Sequence, residues 1–251
     1  MIFRKQLEDL SKHEPKNYPQ FQEIEETPGV YILDGMINSD LLNNKYEWFI
    51  NNAEWQFNVI YETQIDKTRL WGIGLYDESE EPVRNVLSPK TTDHGWLFEL
   101  ALDIIQNIYN VPFDVYSLHI NGQTSKMAGS IHADYGNNII VMLTPNWRTE
   151  WGGELGIYKK EKSADVHKLQ YVPGRIIFFN GEKGHKDGYR HVPKRLNESN
   201  IWHRSMAPTT ICPELRITLN IRGRAIYPGS KINKDNRMEY YAEQQRIAKT
   251  I

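Results

Sequence analysis

The sequence predicts an α+β fold that is mainly β, a β-sandwich or barrel buttressed by N-terminal helices. Three observations carry this expectation. Two segments of the first half repeat their apolar residues at helical spacing, whereas from Phe113 onward the texture changes to short runs rich in Val, Ile, Tyr and Phe bounded by Gly, Pro and Asn. Helices followed by a succession of β segments are the signature of an α+β domain. The chain of 251 residues is 39% hydrophobic and 25% charged, which is enough apolar material for one real core, too much for disorder and too little for a membrane-embedded chain.

In chain order, Ser39-Asp40 reads as a capping signal before Leu41-Leu42, Tyr46 and Phe49-Ile50. Asp93 stands in the same relation to a second helix carrying Trp96-Leu97, Leu100-Ala101, Ile104-Ile105 and Ile108. Strands are then expected at Val115–Ile120, Asn138–Leu143, Glu154–Tyr158, Arg175–Phe179, Ile201–Met206 and Arg216–Arg222, and a polar helix at Met238–Ala248. The whole reads as a single domain, with helical support and a substrate-entrance region over 1–112, a β core over 113–225 and a tail helix over 226–251.

Thirty Lys plus Arg against 32 Asp plus Glu leave a formal charge of −2, so the broad positive field of a non-specific nucleic-acid binder is absent and no nucleic-acid partner is expected. Cys212, alone, excludes an internal disulfide framework and any cysteine-based zinc or iron–sulfur site. A metal must therefore be held by His and carboxylate. No run approaches 18 apolar residues and the N-terminus lacks an apolar leader, so the expected address is the cytoplasm, without a membrane partner. Asn197-Glu198-Ser199 then reads as a chance match to a glycosylation sequon.

The chemistry concentrates in His132-Ala133-Asp134. In an extended segment residues i and i+2 face the same side, so one imidazole nitrogen and one carboxylate oxygen can meet a single ion. A second histidine from a later segment would complete a facial triad with open positions. His185, His191 and His203 are the candidates. His203 lies in an extended segment that the turn Thr209–Pro213 joins to Arg216–Arg222; as a hairpin these would pair His203 with Arg216 on one face, Cβ atoms about 5 Å apart. His185 and His191 lie in Gly181–Asn200, dense in Gly, Lys, Arg and Asn, which reads as a surface loop.

The ordered set of His132-x-Asp134, Leu143-Thr144-Pro145-Asn146-Trp147, Glu150-Trp151-Gly152-Gly153-Glu154-Leu155, Pro173-Gly174-Arg175-Ile176-Ile177-Phe178-Phe179, His203-Arg204 and Arg216-Ile217-Thr218-Leu219 resembles the iron(II)/2-oxoglutarate-dependent dioxygenases of the prolyl-4-hydroxylase type. The resemblance covers about Tyr116 to Arg224. It implies a double-stranded β-helix, or jelly roll, with Fe(II) on His132, Asp134 and His203 and with Arg216 pairing with the distal carboxylate of 2-oxoglutarate. Relatives often have a tyrosine on the co-substrate where this chain has Met142 and Ile120; Tyr116 or Asn220, both expected on inward faces, would substitute. The implied activity is hydroxylation of an unactivated C–H bond of an amino acid, a peptidyl residue or a small metabolite, using O2, releasing succinate and CO2, with ascorbate keeping the iron reduced. A carboxylate at Asp134 favours hydroxylation over halogenation. The competing class is a jelly-roll module that binds metal or ligand without turnover.

The remaining features read as structure. Trp151-Gly152-Gly153-Glu154 is a tight turn whose glycines supply positive φ, Trp147 and Trp151 are packing residues, and His119 is peripheral by strand alternation.

Overall fold

The computed structural model describes residues 21–57, 70–77, 95–109, 113–134, 136–159, 164–180 and 201–225. Its elements in chain order are β1 (Gln22–Glu23), β2 (Val30–Leu33), α1 (Ser39–Asn51), β3 (Gln56–Phe57), β4 (Trp71–Asp77), α2 (Gly95–Ile108), β5 (Phe113–Gln123), β6 (Asn137–Met142), β7 (Leu155–Tyr158), β8 (Val166–Leu169), β9 (Ile176–Asn180), β10 (Trp202–Ser205) and β11 (Arg216–Ala225). Eight strands form one sheet in the order β1-β2-β9-β6-β11-β5-β4-β3, and three form a second in the order β10-β7-β8. All pairings are antiparallel. This is the jelly-roll architecture of a mainly β fold supported by two helices.

The central strands of the large sheet carry continuous apolar runs such as Ile139-Ile140-Val141-Met142 because both of their faces are buried. Alternation divides those runs between two cores. Ile139, Val141, Ile176, Phe178, Ile217, Leu219 and Ile221 face the helices, where Leu97, Ala101, Ile104, Ile105 and Ile108 of α2 and Leu42 and Phe49 of α1 cover them. Ile140, Met142, Ile177 and Phe179 face the other way, onto Leu155, Ile157, Leu169, Ile201 and Cys212, and so fill the space between the sheets.

Several sequence expectations are corrected. Strands β10 and β11 do not form a hairpin: β10 pairs with β7 in the small sheet, and β11 lies between β5 and β6 in the large one. Residues 206–215 cross from sheet to sheet instead of reversing, pinned by a Gly152–Pro208 bridge, by the Lys126 amide on the Pro208 carbonyl at 3.1 Å, and by the Tyr46 hydroxyl of α1, which donates to Glu214 at 2.5 Å. The N-terminal region is not only helical support, because β1 to β4 complete both edges of the large sheet. Helix α1 is capped by Asn38, whose Oδ1 accepts from the Asp40 amide at 2.7 Å, with Ser39 already inside the helix. The expected cap Asp93, the loop Gly181–Asn200 with His185 and His191, and the tail helix Met238–Ala248 lie outside the described residues.

Adjacent phenylalanines on β9 test this division. Phe178 packs under the helices against Tyr31 and Phe21, at ring distances of 5.2 and 5.0 Å, while Phe179 faces the other core with its ring 4.9 Å from that of His203. Each Phe→Ala change is expected to lower unfolding free energy by about 3–5 kcal/mol in denaturant titrations. Only Phe179→Ala should also weaken divalent-metal binding by the folded protein, read by calorimetry.

Candidate metal centre and anion pocket

The segment carrying His132 is extended and runs antiparallel beside β10. The His132 amide donates to the His203 carbonyl at 3.0 Å, and the His203 amide to the His132 carbonyl at 2.8 Å. That pairing brings the two imidazole centroids within 4.4 Å. Asp134, two residues on, has Oδ2 at 3.4 Å from His203 Nε2 and 3.7 Å from His132 Nε2. One donor atom from each of the three residues lies within 4.8 Å of the others, the geometry of a site able to hold a metal ion.

Both rings are oriented by the same local device. Nδ1 of His132 faces the Ser130 carbonyl at 2.9 Å and Nδ1 of His203 the Ile201 carbonyl at 3.2 Å, in each case two residues upstream. A carbonyl can only accept, so each Nδ1 carries a proton, and each Nε2, turned toward Asp134, is the atom left to bind a metal once it is deprotonated. This fixed tautomer is what a metal-ligating histidine requires.

The cluster is charged by its surroundings. Burial opposes the Asp134 carboxylate, but Arg222 and His132 more than offset it, so its carboxyl is held well below the ordinary range. Burial and the neighbouring His132 push His203 down, keeping it neutral. At His132 burial also opposes the charge, yet Asp134 outweighs it and raises the imidazole above its usual value. Arg222 reaches the cluster from β11, with Nη1 donating to Asp134 Oδ1 at 3.1 Å and Nε to Ser117 Oγ at 2.8 Å.

Arg216 begins β11, opposite Gln123 of β5 and not opposite His203. It is fully buried between the sheets, 5.0 Å over the Tyr171 ring. Nε donates to the Gly153 carbonyl and Nη1 to Gln123 Oε1, both at 2.6 Å. Gly153 lies at φ +74°, and a Cβ there would come within 3.0 Å of both Arg216 Cδ and Trp147 Cζ2. The Trp-Gly-Gly-Glu turn thus does more than reverse the chain, because its second glycine lets the backbone carbonyl reach the guanidinium. Trp147 closes the box, its ring 4.6 Å from that of Tyr171 and its Nε1 donating to the Gly152 carbonyl at 3.0 Å. Burial lowers the Arg216 pKa to about 10, against the pull of Tyr171 and Glu154, so the side chain remains a cation at neutral pH. Nη2 is buried and has no hydrogen-bond partner among the described residues. An uncompensated N–H on a buried cation is costly, and a carboxylate is the group that fits it.

The structure brings His132, Asp134 and His203 together and puts Arg216 on the inward face of β11 with Thr218, Asn220 and Arg222. Asn220 turns its amide to Thr218, at 3.3 Å from the carbonyl and 3.2 Å from the hydroxyl. Tyr116 falls at the irregularity where Arg222 pairs with Ser117 and Gly223 with Val115; its side chain lies outside the described residues. Ile120 pairs with Leu219 on the helix-facing side, so only Met142 of the two tyrosine-replacing residues faces inward. His119 is not peripheral: it pairs with Asn220 on the inward face, and burial and Arg222 push its pKa down to about 3. Gln123, Ser117 and Arg222 have no sequence motif to announce them. Parity along β11 was the available signal for Arg222, six residues beyond Arg216 and therefore on the same face.

A prolyl hydroxylase from Trichoplax adhaerens, solved in complex with a hypoxia inducible factor oxygen degradation domain peptide fragment, matches this chain with a TM-score of 0.51 at 11% identity, over 97% of this chain and 94% of that one. The chain has the fold of that prolyl hydroxylase. A prolyl-4-hydroxylase from Pseudomonas putida matches at a TM-score of 0.48 and 13% identity, over 89% of this chain and all 100% of that one. A 2OG-Fe(II) oxygenase family oxidoreductase from Burkholderia pseudomallei matches at 0.49 and 11%, over 78% and 84%. No family model and no curated protein matches the sequence.

Within this prolyl-hydroxylase fold the cluster opens to solvent on one side, with side-chain exposures of 40% at His132, 13% at Asp134 and 5% at His203. Because the His132 imidazole is raised above 6.5, a bound metal must expel its proton at lower pH. Apparent Ni(II) affinity, measured by chelator competition, is therefore expected to fall as the pH is lowered from about 8 to about 6, by up to about tenfold per pH unit. An affinity flat over that range would show that His132 is not a ligand.

Proposed function

We propose that the protein is a single-domain Fe(II)- and 2-oxoglutarate-dependent dioxygenase that hydroxylates an unactivated C–H bond. His132, Asp134 and His203 hold the metal, and Arg216 binds the distal carboxylate of 2-oxoglutarate. The observation that carries this reading is the pairing of a two-histidine, one-carboxylate donor set with a buried guanidinium whose Nη2 lacks a partner among the described residues. A module that merely stores metal has no use for such a cation, whereas a dicarboxylic co-substrate supplies the missing anion.

When bound, the metal and 2-oxoglutarate supply the oxidising chemistry, in which O2 is consumed, the co-substrate is split to succinate and CO2, and one oxygen atom enters the substrate. The chain's own residues do the orienting. Gly153 and Gln123 hold the guanidinium through Nε and Nη1, which leaves Nη2 for the co-substrate carboxylate, and Trp147 and Tyr171 would shield that contact from water, where a charge-assisted bond is strongest. Asn220 and Tyr116 are proposed as further co-substrate contacts, and ascorbate as the reductant that keeps the iron ferrous.

For the substrate we favour a peptidyl residue over a free amino acid or small metabolite, because the cluster is open on the His132 side and the Trichoplax protein was solved with a peptide. Succinate release across panels of proline-containing peptides, amino acids and small metabolites tests this choice. Release with the peptides alone supports it; release with the metabolites alone replaces it.

The assignment of Arg216 has a sharper test. Two charge-assisted contacts contribute roughly 1.5–3 kcal/mol each. Arg216→Ala is expected to raise the 2-oxoglutarate dissociation constant at least about tenfold, corresponding to about 1.4 kcal/mol, with Fe(II) affinity little changed. Arg216→Lys should be intermediate, since it keeps the charge and loses the fork. Anaerobic titration of the Fe(II)-loaded protein, followed at the metal-to-ligand charge-transfer band, measures both. An unchanged midpoint in Arg216→Ala, or absence of any band in the native protein, would favour the non-catalytic metal-binding module.

A further inference from the structure

The two oxygens of Asp134 face different partners. Oδ2 points at both imidazole Nε2 atoms, at 3.4 and 3.7 Å, while Oδ1 accepts from Arg222 Nη1 at 3.1 Å. Arg222 is itself braced, its Nε donating to the hydroxyl of Ser117 at 2.8 Å across the β11–β5 ladder. Neither strand contributes a candidate ligand. The carboxylate plane is thus set by the large sheet, whereas both imidazoles belong to the small sheet and the segment beside it.

We propose that Arg222, braced by Ser117, is a positioning residue that holds Asp134 as a one-oxygen ligand. The inference rests on the reading of His132, Asp134 and His203 as metal ligands. Carboxylates bind metals through one oxygen or two. In a six-coordinate site, two imidazoles and a one-oxygen carboxylate leave three places, enough for a chelating co-substrate and one further molecule. Ligation through both carboxylate oxygens leaves two. Rotating the Asp134 carboxylate to offer Oδ1 as well breaks its bond to Arg222, so the guanidinium opposes that rotation.

Calorimetric titration of Ni(II) into the full chain tests this without turnover. Arg222→Gln is expected to weaken Ni(II) binding by about tenfold or more, the range found when a partner of a ligating group is removed. In an Asp134→Ala background, where the two histidines alone bind the metal, the same substitution should cause no further loss. Equal losses in the two backgrounds would mean that Arg222 supports the fold generally, and no loss in the native background would mean that it does nothing for the metal; either overturns the proposal. Should Arg222→Gln fail to fold, Ser117→Ala, which removes only the brace, is expected to weaken Ni(II) by about threefold, and only when Asp134 is present. A crystal structure of the Ni(II)-loaded protein with both Asp134 oxygens on the metal would also overturn it. Failure of the native chain to bind Ni(II) overturns the ligand reading itself, and this inference with it.

Discussion

Strand β11 runs through the middle of the large sheet with a neighbour on each side and a packed core on each face, and its period-two alternation is the constraint on which the site depends. Ile217, Leu219 and Ile221 are held under the helices, which turns Arg216, Thr218, Asn220 and Arg222 toward the small sheet. A one-residue slip would drive two guanidiniums into the helix-facing core and expose three large apolar side chains to a polar cavity. The hydrophobic packing of one face thereby sets the chemistry of the other. Helices α1 and α2 cover the apolar face of β11, and in doing so they fix the direction in which Arg216, Thr218, Asn220 and Arg222 point.

Its two arginines show how one residue type takes different roles from different surroundings. Arg216 packs beside Trp147, Tyr171 and the Gly153 backbone, and its buried Nη2 has no hydrogen-bond partner among the described residues. Arg222 is only partly enclosed and its charge is matched by the Asp134 carboxylate. The first arrangement favours an incoming anion and the second stabilises one already present. Between them the cluster keeps two imidazole Nε2 atoms and one carboxylate oxygen turned inward, with their opposite edges committed to backbone carbonyls and to Arg222.

What could be read from the sequence was local. His132-x-Asp134 is legible because i and i+2 share a side in extended chain, and the strand runs after Phe113 are legible because apolar residues cluster between turn formers. The position of Arg216 relative to His203 was not, since a ten-residue connection can reverse within a sheet or cross to another, and contacts distant in sequence decide between the two. Strand β4 was hidden by its glycines, Trp71-Gly72-Ile73-Gly74, which carry little β signal and owe their extended form to pairing with β5. His119 does lie opposite Leu118, as alternation predicts, but Leu118 and Ile120 pack under the helices, so the face of His119 is the one toward the site, and only contacts distant in sequence decide which face that is.

The irregular crossing between the sheets has a consequence for how the molecule reaches this state. Arg216 meets Gln123 across 93 residues of chain, Arg222 meets Ser117 across 105, and Arg175 meets Asp34 across 141. Closing loops of that size precedes any return from the contacts they make, which places the protein among the slow, topologically demanding folders. The cluster and its supports span Ser117 to Arg222, so during synthesis His132 and Asp134 emerge well before β11, the strand that carries Arg216 and Arg222. The centre is a product of completed folding, and β11, the last described strand in the chain, is the piece that finishes it.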